Sequence, residues 1–340
     1  MTNKEHKLVS SVPLDEGQRK RIQAIIPDIE IQDSKHFLGE AVGDLLTEDT
    51  TILYGFRVPD DLLDRSPNLH WLQLLGAGCE HLAGSPIMNG SVSITTASGI
   101  HATPIAEYVL GTMLGFYRWI FQADRAQMRG QWVPQGEVAM VSRELRRKTI
   151  GIIGYGSIGR EVARLAKPFG TRIVAVKRDP ATPEDSGYVV PGTGDPEGTI
   201  PDAMYGTDDL LSILPECDVV VLAVPSTSAT KQLLGEEELS AMKAGSYLIN
   251  IARGDVVDEA ALARILDSRH LAGAALDVFE EEPLAPDSPF WSMDNVLVTP
   301  HISGASRAHL RRMFELFADN LERFDGDQPL LNLVNSEYGY

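Results

Sequence analysis

Apolar and polar positions follow two rhythms along the chain. In the first hundred residues, short apolar runs such as 51–54 and 69–75 are each followed by glycine and separated by amphipathic stretches. That pattern predicts strands alternating with helices. From Pro104 to about Gly130, Ile105, Tyr108, Val109, Met113, Phe116 and Ile120 recur at three- and four-residue steps. With a proline suited to the first turn, this spacing predicts one long helix able to bridge two domains. Beyond Val141 the runs 149–153, 172–176, 219–224, 247–251, 271–276 and 296–299 are short and β-rich, most of them separated by helix-length segments. Continuous apolar strands of this kind are buried on both faces, as in a parallel doubly wound sheet. Residues 179–206 break the rhythm with Gly, Pro, Asp and Thr, and are expected to form a surface loop. An amphipathic pattern from Ser306 to about Phe324 predicts a closing helix that crosses back to the first domain.

One glycine cluster carries chemistry. Gly154, Gly156 and Gly159 fit GxGxxG, follow the apolar run 149–153 and open a helical pattern. In that frame Gly154 permits a tight turn, Gly156 lets the backbone approach a pyrophosphate, and Gly159 lets helix and strand pack closely. Tyr155, Ser157 and Ile158 complete the loop, and the helix N-terminus offers N–H groups and a positive dipole end to the anion. The expected architecture is therefore α/β, with two Rossmann-like domains whose doubly wound parallel sheets flank a central cleft. Residues 1–100 plus 306–340 would form the substrate domain and 101–305 the dinucleotide-binding domain. The residue closing the second strand selects the dinucleotide, because an acid there binds the ribose hydroxyls of NAD and a base accommodates a 2′-phosphate. Lys177 and Arg178 stand at that place, so NADP(H) is favoured, with NAD(H) possible through Asp179.

In open parallel sheets the ligand lies off the carboxyl ends of the strands, so ionisable residues directly after strands deserve weight. Arg253 follows the run 248–252, Asp277 closes 274–276 with Glu280, Glu281 and Glu282 just beyond, and His301 follows 296–300. Oxidising a secondary alcohol needs a base for the hydroxyl proton, a cation for a carboxylate and developing carbonyl, and a partner that orients the base. His, Arg and Glu supply these three. Singly, each could be a surface ion pair, a turn residue or a solvated acidic turn; together, after three successive strands, they point to one site.

Composition removes several alternatives. The 340 residues suffice for two medium domains, and 30 Lys and Arg against 48 Asp and Glu give a formal net charge of −18. That charge opposes nucleic acid and anionic membranes. No apolar run approaches the roughly 20 residues of a membrane span, and residues 1–14 lack the apolar core of a signal peptide, so a cytoplasmic location is expected. Cys79 and Cys217, the two cysteines, have no His or Cys at ligand spacing, so neither a disulfide framework nor a metal site is expected.

In order and spacing, the pieces from about Gly76 to Leu321 resemble the D-isomer-specific 2-hydroxyacid dehydrogenase family. They are Gly76, Ala77 and Gly78; Ala106 and Glu107; the GxGxxG unit; residues 218–225; Asn250 through Gly254; residues 275–279 with Glu282 and Pro283; and Thr299, Pro300 and His301. The resemblance implies hydride transfer between NAD(P)H and C2 of a small 2-keto or D-2-hydroxy acid. It implies that His301 is the acid/base, that Glu282 assists it, and that Arg253 binds the substrate carboxylate and carbonyl. It places Asp277 near the nicotinamide carboxamide, adds Val224, Pro225, Thr230 and Ala252 to the cofactor contacts, and gives the backbone of Ala77 and Gly78 to the substrate carboxylate. A homodimer built by residues 105–144 is implied too. Lys177, the long segment 179–206 and Ser226 depart from the common pattern and bear on cofactor and substrate choice. The same fold also serves dinucleotide-sensing corepressors and dehydrogenases of formate or phosphite, from which turnover of a keto acid distinguishes the expected enzyme.

Overall fold

A computed structural model describes residues 6–35, 42–82, 84–185 and 187–335. The chain divides into two compact units: unit 1 comprises Met1–Ile100, Ser186–Val190 and Arg307–Tyr340, and unit 2 comprises His101–Asp185 and Pro191–Ser306.

Unit 1 is built on five parallel strands, β1 (Lys7–Ser10), β2 (Glu30–Asp33), β3 (Ile52–Gly55), β4 (Trp71–Leu74) and β5 (Ser93–Thr95), in the order β2-β1-β3-β4-β5. The inner strands β1, β3 and β4 are buried throughout, whereas the edge strand β2 keeps a polar sequence and partial exposure. The closing helix His309–Asp325 turns Met313, Leu316, Phe317 and Leu321 inward, one stripe at three- and four-residue spacing. Phe317 stacks on Tyr54 and Trp71, with ring centroids 4.4 and 5.4 Å apart. Burying such rings contributes about 25 cal/mol per Å² of apolar surface.

Unit 2 holds seven parallel strands: β6 (Thr149–Ile153), β7 (Arg172–Val176), β8 (Ala203–Tyr205), β9 (Val219–Leu222), β10 (Tyr247–Asn250), β11 (Gly273–Leu276) and β12 (Val296–Val298). Their order is β12-β11-β10-β9-β6-β7-β8. The strand order reverses at the neighbours β6 and β9, the topological switch point beside which ligands bind in doubly wound sheets.

Two expectations are corrected. The long helix does not run to Gly130: it spans Ala102–Tyr117, and a second helix begins at Ile120. Between them Trp119 takes a left-handed φ of 62°, and the Phe121 ring folds back onto Gly115, where any Cβ would lie 2.3 Å from its Cζ. The segment 179–206 is not a plain surface loop. Its end forms edge strand β8, paired with β7. Buried Tyr188 joins unit 1, with its N–H donating to Asn332 Oδ1 at 2.9 Å and its carbonyl against Gly99, whose φ of +93° leaves no room for a Cβ. Asp195 is buried as well and accepts from the Tyr155 hydroxyl at 2.7 Å and from the N–H groups of Thr199 and Ile200 at 3.0 Å. Within a stretch whose other described residues are exposed or half-buried, Tyr188 and Asp195 are thus buried and held by internal hydrogen bonds.

Candidate active site

At the end of β6 the chain turns through Gly154 (φ +103°), where a Cβ would sit 2.5 Å from the carbonyl oxygen of Ala223. At Gly159 a Cβ would sit 2.3 Å from the carbonyl oxygen of Gly154 and 2.9 Å from Ile152. Gly156 faces open space. Two glycines are therefore required by the protein's own packing, and the middle one leaves open space at the N-terminus of the helix Ser157–Ala166, which has no side-chain cap. Uncapped N–H groups around a glycine-lined opening suit a pyrophosphate. Tyr155 is buried, its ring 4.8 Å beneath the Arg160 guanidinium. Arg160, itself buried, bonds the carbonyls of Asp195 and Pro183 and pairs with Asp185 at 3.3 Å. Pro183, Asp185 and Asp195 thus brace Tyr155 and Arg160 at the phosphate loop. Burial alone would raise the Asp195 carboxyl; the N–H groups of Ile200 and Thr199, the Tyr155 hydroxyl and the Arg160 charge outweigh it and hold it below the ordinary carboxylate range.

After β7, Lys177 and Arg178 take different situations. Lys177 Nζ donates to the carbonyl oxygens of Thr182 and Glu184, which uses two of its three donors to close the turn that follows. Burial, with Arg160 nearby, lowers its pKa. Arg178 is exposed. Asp179 accepts from Ala181 N–H at 3.1 Å and from the Thr182 hydroxyl at 2.7 Å, so its carboxylate is engaged in the same turn.

Val224 and Pro225 follow β9, the first half-buried and the second exposed. The Thr230 hydroxyl turns back to the Pro225 carbonyl at 2.6 Å, and Ser226 donates to Asp255 Oδ2 at 2.8 Å. After β10, Ala252 is buried and Arg253 is exposed, with Nη1 donating to the Ala252 carbonyl at 2.8 Å. Gly254 presses against the Phe279–Glu280 peptide, where an added Cβ would lie 1.8 Å from the Phe279 carbonyl carbon. The backbone next to Arg253 is thereby seated on the turn that carries Glu282.

That turn and the end of β12 bring Glu282 and His301 together: Nδ1 of His301 lies 2.8 Å from Glu282 Oε2, while Glu282 Oε1 accepts the Phe279 N–H at 3.1 Å. A carboxylate only accepts, so Nδ1 carries the proton in this contact. Nε2 remains available on a side chain that is half exposed. His301 has φ +53°, outside the ordinary range of a residue with a Cβ. Asp277 is fully buried; Oδ1 accepts from Thr299 Oγ1 at 2.6 Å and Ile302 N–H at 2.9 Å, and Oδ2 accepts from Ser303 N–H at 2.9 Å. Both oxygens thus accept from the turn around His301, and Oδ2, with one donor, keeps acceptor capacity. Tyr108 adds a further contact, its hydroxyl 2.8 Å from Thr299 Oγ1. The sequence motifs gave Tyr108, Arg160 and Asp195 no role; Tyr108 was visible only as a member of an apolar helix stripe, and Asp195 lay among loop-forming residues.

In unit 1, the turn after β4 leaves Ala77 exposed and Gly78 half-buried, and the Gly76 carbonyl accepts the Ala97 N–H at 2.8 Å. Among the described residues there is no cluster of His, Cys, Asp and Glu able to hold a metal ion, and no helix is long and apolar enough to cross a membrane.

Comparison with known proteins agrees with this fold. Residues 110–303 match the sequence profile of the D-isomer specific 2-hydroxyacid dehydrogenase, NAD binding domain. A glyoxylate reductase of Thermofilum pendens is 35% identical over 283 residues, 83% of this chain and 79% of that protein. An (S)-sulfolactate dehydrogenase of Chromohalobacter salexigens is 35% identical over 271 residues, 78% of this chain and 81% of that protein. The crystal structure of a D-isomer specific 2-hydroxyacid dehydrogenase from Xanthobacter autotrophicus, in complex with NADPH and MES, matches with a TM-score of 0.79 and 30% identity. It covers 99% of this chain and 100% of that chain.

Proposed function

The chain belongs to the D-isomer specific 2-hydroxyacid dehydrogenase family, an NAD(P)-dependent enzyme acting on small 2-keto or 2-hydroxy acids, and on that premise we propose that it reduces glyoxylate-like 2-keto acids with NADPH, using His301 as the acid. The observation that carries the proposal is the 2.8 Å contact between His301 Nδ1 and Glu282 Oε2. It fixes the ring orientation and leaves Nε2 to exchange a proton with the substrate oxygen.

When bound, the nicotinamide supplies hydride to C2 of the keto acid. The chain's residues do the rest. Gly154, Gly156 and Gly159, with the N–H groups of Ser157 and Ile158, hold the pyrophosphate. His301, protonated and oriented by Glu282, gives its Nε2 proton to the carbonyl oxygen, and takes one from the hydroxyl in the reverse direction. Arg253 meets the carboxylate and polarises the carbonyl with a planar fork of donors. For unit 1 the same reading assigns the N–H groups of Ala77 and Gly78 to the substrate carboxylate. NADPH is favoured by exposed Arg178 at the end of β7 and by the NADPH carried by the Xanthobacter relative.

We assign the homodimer contact to the two helices after Trp119. Ile120, Met128, Trp132, Met140 and Val141 are exposed there, Trp132 at 94% of its full surface, and so many exposed large apolar side chains in one stretch support an interface. Sedimentation of the parent and of Trp132→Glu tests this: a dimer that the substitution splits is expected, and a monomeric parent overturns it.

The central test is a panel of glyoxylate, hydroxypyruvate, pyruvate, 2-ketoisocaproate and 3-sulfopyruvate with each dinucleotide, run on the parent and on His301→Ala. NADPH consumption with glyoxylate is expected in the parent. A loss of about 10²–10⁴-fold in kcat with dinucleotide binding retained is expected in the variant. Parental turnover in His301→Ala removes the residue from the mechanism.

A further inference from the structure

Tyr108 lies on the helix Ala102–Tyr117, remote in sequence from every motif around the carboxyl ends of the strands, yet its hydroxyl is 2.8 Å from Thr299 Oγ1. That oxygen in turn is 2.6 Å from Oδ1 of the fully buried Asp277. A threonine hydroxyl has one proton, and a carboxylate only accepts. Thr299 therefore gives its proton to Asp277 and must accept from Tyr108. The donors run one way, Tyr108 to Thr299 to Asp277. Burial pushes the Tyr108 phenol up to about 12, which keeps its proton in place across the neutral range.

Asp277 also holds a strained position and the two residues that follow it. Its carboxylate accepts the N–H groups of Ile302 and Ser303, and its carbonyl accepts the His301 N–H at 2.9 Å. His301 itself has φ +53°. For a residue with a Cβ this conformation is strained and persists only where surrounding contacts enforce it. Relaxed to an ordinary φ, the imidazole would swing away from Glu282.

We propose that Tyr108 and Thr299 are positioning residues for the proton-transfer step, holding the 299–303 turn through Asp277 so that His301 meets Glu282 on one side and substrate on the other. The proposal rests on His301 being the acid/base. It assigns Asp277 to the turn, with the hydroxyl pair as its external support, and it predicts that the loss of either hydroxyl lowers kcat without weakening the dinucleotide.

The experiment compares Thr299→Val, Thr299→Ser, Tyr108→Phe and His301→Gln, using glyoxylate with NADPH and a fluorescence titration of NADPH. Thr299→Val keeps the side-chain shape and strands both neighbours; displacement of a catalytic group by an ångström costs about 100-fold, so kcat should fall by about that factor, and by about 10-fold in Tyr108→Phe. NADPH affinity should be parental in both, and Thr299→Ser should restore kcat. Crystal structures of the valine and phenylalanine variants should show the His301 φ leaving the left-handed region and its contact with Glu282 broken. Parental kcat in Thr299→Val and Tyr108→Phe beside an inactive His301→Gln overturns the positioning role alone. Retained turnover in His301→Gln overturns the acid/base reading; the crystal structures then decide positioning, an unmoved turn counting against it and a displaced one for it. If Thr299→Val fails to fold, Tyr108→Phe, which removes one oxygen atom, carries the same outcomes.

Discussion

Glu282 is shared between two donors, accepting the Phe279 N–H through Oε1 and facing His301 Nδ1 through Oε2. Both carboxylate oxygens are needed to tie the turn and orient the ring at once. Glutamine has one carbonyl oxygen and can serve only one of them. Glu282→Gln should lower kcat by at least about 10²-fold, the scale of a mispositioned general acid, with NADPH affinity unchanged. Steady-state kinetics beside a binding titration checks this, and a variant of parental kcat would show that Phe279 alone uses the carboxylate.

The three glycines of the phosphate loop should separate by phenotype. Gly156→Ala meets no protein atom and should melt near the parent, while its methyl group intrudes on the opening and weakens NADPH by about 10-fold, or about 1.4 kcal/mol. Gly159→Ala forces a Cβ against the Gly154 carbonyl and should cost about 1–3 kcal/mol of stability. Denaturant melts and NADPH titrations on both variants distinguish them. Equal destabilisation would refute the division of labour.

Cofactor preference should rest on Arg178 more than on Lys177. Lys177 is committed to the carbonyls of Thr182 and Glu184, so Lys177→Ala should loosen that turn and weaken NADPH and NADH alike. Arg178→Ala should cost NADPH about 1.5–3 kcal/mol, one charged hydrogen bond, and leave NADH nearly untouched. The ratio of kcat/KM for the two dinucleotides reads this directly. A ratio that follows Lys177 would return the 2′-phosphate to the lysine.

Asp195 should make the stability of unit 2 sensitive to acid. Its carboxyl is held below the ordinary range in the folded chain, so its contribution is complete above the unfolded value, about 3.9, and is lost as pH falls through the lower folded value. Asp195→Asn leaves a donor facing Tyr155 or the loop N–H groups and should cost about 1.5–3 kcal/mol at pH 7. The gap between parent and variant should narrow below about pH 4, as measured by urea unfolding across pH. A constant gap would mean that the carboxylate charge contributes nothing.

The sequence by itself determined the parts governed by local periodicity and by chemistry tied to strand ends. Apolar runs located β3, β4 and the inner strands of unit 2, because a strand buried on both faces is dominated by apolar residues, whereas inner strand β1, with Lys7 and Ser10 at its ends, is not legible in this way. The glycines of the phosphate loop were legible because a positive φ and a close helix–strand approach exclude a side chain whatever surrounds them. Glu282 and His301 stood out as ionisable groups after strands, although only folding set them 2.8 Å apart.

Tertiary structure decided the rest, for two reasons. Contacts distant in sequence leave no periodic trace: Tyr108 and Thr299 are 191 positions apart, and the apolar stripe that includes Tyr108 says nothing of its hydroxyl. Polar side chains also look alike in sequence whether they face water or one another. Asp195 and Lys177 lie within or beside a stretch rich in Gly, Pro and Asp, and only the folded chain shows their side-chain polar groups bound to internal partners. The break at Trp119 belongs to the same class, since a helical stripe continues through it and only the seat of Phe121 on Gly115 makes the turn worthwhile.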